Sequence, residues 1–137
     1  MRVNFSSGTP WEPLRGYSRA VEVNDTLYIS GTTALTDDGE VVGFQSPYKQ
    51  AKFVLDRIVS IAKQCGYSSQ EIIQTRLYIT NMKHWTEVAR AHHEHFTTIR
   101  PASSLVEVSK LRDPRLVVEI EATAVRGATV KETRIIS

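Results

Sequence analysis

Residues 116–125 read LVVEIEATAV, and their alternation is the strongest structural statement in the chain. Leu116, Val118, Ile120, Ala122 and Ala124 form an unbroken apolar row with a period of two, which makes the stretch a strand with one face on a core. Val117, Glu119, Glu121, Thr123 and Val125 must then point the opposite way. A face that mixes carboxylates with β-branched side chains suits water or a second subunit, and its valines favour the subunit.

Reading backwards, Ser103 to Val108 is another alternating run, separated from the last strand by a link containing Asp113-Pro114. Before it, Trp85, Val88, His92, Phe96 and Ile99 fall on one helical face that Asn81 caps and Pro101 stops, so Trp85 and Phe96 are expected in the core. Ser68 and Glu71 resemble a capping box. The following residues Ile73, Thr75, Leu77 and Ile79 alternate with Gln74, Arg76 and Tyr78, a strand whose polar side should share the face of Glu119. Ser46-Pro47 signals the start of an earlier helix with an apolar stripe through Tyr48, Ala51, Leu55, Ile58 and Ala62, ending near Cys65 before Gly66. The stretch TDDGE, 36–40, is a turn, and Asn24-Asp25 joins strand-like runs at Tyr17 to Val23 and Thr26 to Thr32 as a tight hairpin. The order ββαβαββ, with one stripe per helix, predicts an α+β two-layer sandwich: a mixed sheet with two helices on one face.

The 137 residues, 41% of them hydrophobic, suit one domain spanning 1–137. A formal charge of +2 with scattered basic residues does not predict a nucleic-acid partner. No N-terminal signal segment and no run of roughly 18 apolar residues is present, so a cytoplasmic protein without membrane attachment is expected. Cys65 has no second cysteine and no basic cluster beside it, and reads as a structural thiol.

The segment IRPASSLVEVSKLRDPRLVVEIEATAV, 99–125, resembles the C-terminal signature of the YjgF-like or Rid (reactive intermediate deaminase) family. GYSRAVEVNDTLYISG and GYSSQEIIQTRLYITNM are similar to that family's N-terminal hairpin and middle strand, so the resemblance runs from about Tyr17 to Val125. It implies a chorismate-mutase-like fold, a homotrimer, and clefts between subunits that hydrolyse enamines or imines to a keto compound and ammonia without a cofactor. The expected partners are therefore a second and third copy of the chain and a small imine, enamine or keto acid. Tyr17, Gly31 and Glu119 match the residues of the family's cleft. Three positions depart from it: Ser103 stands where the active deaminases carry the arginine that clamps the substrate carboxylate, Leu105 where many have cysteine, and His92 where a tyrosine often lines the cleft. Arg19 replaces a common glutamine.

Imine hydrolysis needs a positioned water, a carboxylate to deprotonate it and a grip on the substrate. Glu119 is the candidate base, and burial in a cleft would raise its pKa toward neutrality. The plainer reading makes Glu119 and Glu121 interface residues paired with Arg76 or another cation. A serine in place of the clamp gives up about 1–2 kcal/mol, roughly fivefold to thirtyfold in carboxylate binding. Arg19 can offset that loss from beside Tyr17, with Arg15 and Arg100 less constrained. The candidate site is thus Glu119 for catalysis, with Tyr17, Arg19, Gly31, His92, Ser103 and Leu105 for substrate. His92-His93-Glu94-His95 lacks the spacing of a metal motif, and no metal is predicted. The residues support two readings, an imine hydrolase with a substrate other than 2-aminoacrylate and a non-catalytic binding or protein-protecting trimer, with RNA cleavage a distant third.

Overall fold

The computed structural model describes residues 1–137 as β1 (Arg2–Phe5), α1 (Trp11–Arg15), β2 (Ala20–Val23), β3 (Thr26–Thr33), α2 (Pro47–Gln64), β4 (Ile72–Ile79), α3 (Trp85–Phe96), β5 (Ala102–Glu107) and β6 (Val118–Val125). The six strands form one sheet in the order β1-β2-β3-β6-β4-β5, antiparallel throughout except where β5 runs parallel to β4. Both long connections, β3–α2–β4 and β4–α3–β5, lay their helices on the same face, giving the expected two-layer α+β sandwich. Leu116, Val118, Ile120, Ala122 and Ala124 are buried there with Val54, Leu55 and Ile58 of α2, so the alternation read in residues 116–125 holds throughout.

Local chemistry sets the joints. Asn24 and Asp25 both have positive φ, 49° and 64°, the mirror-image turn that matches strand twist in a two-residue hairpin. Ser46 accepts a hydrogen bond from the Lys49 N–H with Pro47 at the first helical position, and Ser68 with Glu71 forms the capping box. Arg100 takes φ 51° ahead of Pro101, and its N–H closes the last turn of α3 on the Phe96 carbonyl at 2.9 Å.

The structure corrects four expectations. β1 and α1 precede the elements read from sequence, and the first strand of the hairpin begins at Ala20 rather than Tyr17. Ile73 faces out, because a bulge between Ile72 and Gln74 gives the core position to Ile72. Trp85 is 51% exposed, since α3 meets the core only from Val88 onward; Phe96 is buried as expected.

Candidate active site

A second bulge, between Ile29 and Thr32, breaks the pairing of β3 with β6 at Ser30 and Gly31. Bulges of this kind re-aim side chains beside functional sites. Here it lets the Glu119 side chain, which leaves β6 on the face away from α2 and α3, lie across Gly31: a Cβ on that glycine would stand 2.5 Å from Glu119 Oε2. Burial raises the Glu119 pKa; Arg15 and Arg19 pull it back, and Glu121 pushes it up. Arg76 serves Glu121, as the plainer reading allows: that carboxylate accepts the Tyr78 hydroxyl at 2.5 Å and lies 3.8 Å from the Arg76 guanidinium.

Arg19 is 8% exposed. Its Nη2 donates to the Gly31 carbonyl at 3.0 Å, its guanidinium lies 5.5 Å from the Tyr17 ring centre, and its Nε has no partner. Arg15 stacks on the same ring at 3.9 Å. Tyr17, Arg19, Gly31 and Glu119 thus line one small cavity of about 70 Å³, together with Arg15 and Arg112 among others.

His92, Ser103 and Leu105 lie elsewhere. They line a pocket of about 370 Å³ between β5 and α3, with Leu77, Ala89 and Phe96. Thr75, paired with Ser103 across the parallel ladder, is fully buried, and its Oγ1 lies 2.8 Å from both Ser103 Oγ and His92 Nε2. The Thr75 hydroxyl donates to Ser103 Oγ, which leaves its oxygen free to accept from an N–H at His92 Nε2; with a single proton it cannot donate to both neighbours at once. Burial lowers the His92 pKa and His95 adds to the effect, which favours the neutral imidazole. His95 bonds Asp56 instead, 2.7 Å away, so the histidines of the 92–95 run serve separate partners.

The seven candidate residues therefore fall into two clusters with no lining residue in common. Sequence reasoning missed Thr75, Arg57 and Arg112. Thr75 occupies an ordinary inward position of a strand, and the two arginines are brought in from a helix and a loop far from Tyr17 in the chain. Cys65 caps α2, where burial raises its thiol pKa, with Glu22 adding to the rise, which suits a structural role.

Residues 9–126 match the profile of the family described as endoribonuclease L-PSP. The chain belongs to that family, the YjgF-like or Rid proteins. Among solved Rid-type structures, a member of the YjgF/YER057c/UK114 family from Mycobacterium tuberculosis is 38% identical, with a TM-score of 0.81 over 91% of this chain and 99% of its own. A RutC family protein of Pyrococcus horikoshii is 32% identical over 89% of this chain and 95% of its length. The mouse 2-iminobutanoate/2-iminopropanoate deaminase is 31% identical, covering 84% of each. No helix of this Rid protein is long and apolar enough to cross a membrane.

Proposed function

We propose that this protein is a homotrimeric hydrolase of 2-imino or 2-enamino acids, in which the Glu119 cluster of one subunit faces the Ser103–His92 pocket of the next. The observation that carries the reading is Glu119 itself: a half-buried carboxylate with a raised pKa, laid over a glycine that leaves room for nothing else. The sheet face around it bears exposed Tyr28 and Val106, apolar surface that a subunit contact would cover. Relatedness to a mouse imine deaminase supports the same chemistry.

In this mechanism Glu119 accepts a proton from water as the oxygen attacks the carbon of the protonated imine, giving a neutral carbinolamine. Glu119 then returns that proton to the nitrogen and takes the proton of the carbinolamine hydroxyl as the C=O bond forms and the C–N bond breaks, so that a 2-keto acid and ammonia leave. Imino acids generated in situ by an amino acid oxidase provide the test. Keto acid and ammonia must appear faster with the protein than without it, and no acceleration for any of a panel of side chains sinks the hydrolase.

The serine at 103 favours a second reading, a trimer that binds keto or imino acids without turning them over. It predicts a ligand-dependent rise in melting temperature with no product. Under this second reading Ser103→Arg adds a charge-assisted grip, so pyruvate should bind about fivefold to thirtyfold more tightly by calorimetric titration.

A further inference from the structure

Arg15, Arg19, Arg57 and Arg112 all line the cavity beside Glu119. Arg57 is paired with Asp37, but none of the ion pairs of the chain involves Arg15, Arg19 or Arg112. The other nearby carboxylate, Glu12, is already occupied by the hydroxyls of Ser6, Ser7 and Thr9. Arg19 is over nine-tenths buried yet has an unsatisfied Nε, a costly arrangement for a cation unless an acceptor arrives. At about 70 Å³ the cavity is small, which suits a compact anionic group rather than a whole substrate.

The other pocket carries far less charge. It holds the hydroxyl of Ser103 and the imidazole of His92 among Leu77, Phe96 and Leu105, with no acidic residue and with the exposed Arg100 as its one arginine. Resting on the hydrolase reading, we infer that the carboxylate clamp has changed sides: Arg15 and Arg19 hold the substrate carboxylate beside Glu119, and an uncharged side chain much larger than methyl runs into the Ser103–His92 pocket. The substrate class is then a 2-imino acid with a long or bulky neutral side chain.

Calorimetric titration of the assembled protein with 2-oxohexanoate, pyruvate and hexan-2-one tests this. 2-Oxohexanoate should bind more tightly than pyruvate, and hexan-2-one, which lacks the carboxylate, should not bind detectably. Arg15→Met and Arg19→Met should each weaken 2-oxohexanoate about tenfold or more. Arg15 is exposed, so its variant carries the test if the buried Arg19 proves necessary for folding. Unchanged affinity in the Arg15 variant, or equal affinity for the two keto acids, overturns the inference. If 2-oxohexanoate binds through Arg15 but no imine is hydrolysed, the clamp stands and the hydrolase falls. If imines are hydrolysed with kcat/KM untouched in both variants, the hydrolase stands and the clamp falls.

Discussion

Glu119→Gln should cost the proposed imine hydrolysis about a hundredfold to ten-thousandfold in kcat, the range for removing a general base, while the protein becomes harder to melt at pH 7 to 8. The two effects have one cause. Burial disfavours the charged carboxylate, so the folded-state pKa of Glu119 lies above the unfolded value of about 4.3. Between those two values the folded chain binds the proton more tightly than the unfolded one. Stability contributed by this group is fully present below the ordinary carboxylate pKa and is lost as pH rises through the raised one. A neutral glutamine does not incur that loss, so the variant should gain in melting temperature at neutral pH and show no gain near pH 4. Thermal melts across pH, run beside single-turnover rates, check both halves. A variant that is fully active, or that melts lower than the parent at pH 8, would show that Glu119 is not the buried general base.

Gly31→Ala should separate folding from function in the opposite sense. The added methyl meets Glu119 Oε2 at 2.5 Å and Cδ at 3.0 Å, the mobile end of a side chain rather than fixed backbone. The carboxylate can swing away, so the fold should lose no more than about 1–3 kcal/mol, the usual cost of an extra methyl in a packed place. Displacing a catalytic group by about 1 Å is enough to lose about a hundredfold in rate. The expected result is a variant that melts close to the parent and turns over about a hundredfold more slowly. Parental kcat/KM would mean that the close approach of Glu119 to Gly31 does not matter to the chemistry.

Most of the architecture is legible in the sequence because it rests on periodicity. The stripes of α2 and α3, the alternation of β6 and the Asn24-Asp25 turn each repeat a physical signal over several residues or meet a strict dihedral demand. β1 and α1 span four and five residues, too short for any period to show, and α1 is ended only by the left-handed Gly16. The bulges are invisible for a related reason: one extra residue leaves the composition of a strand unchanged while reversing which side chain faces in, as at Ile72 and Ile73. Within the site, Tyr17, Gly31 and Glu119 come from family resemblance, and the structure places them together with Arg19. The division of the candidates into two clusters could not be foreseen, since His92 and Ser103 are joined through Thr75 on the helical side, a link that neither strand nor helix announces alone.

The position of β6 has a consequence for biosynthesis. This strand comes last in the chain yet sits between β3 and β4 in the finished sheet. A ribosome-bound chain therefore holds two unpaired edges apart until residues 118–125 emerge from the exit tunnel, and the slow, non-local pairing that closes the sheet waits for them. During that interval the nascent protein is open to chaperone capture and to strand exchange with sister chains.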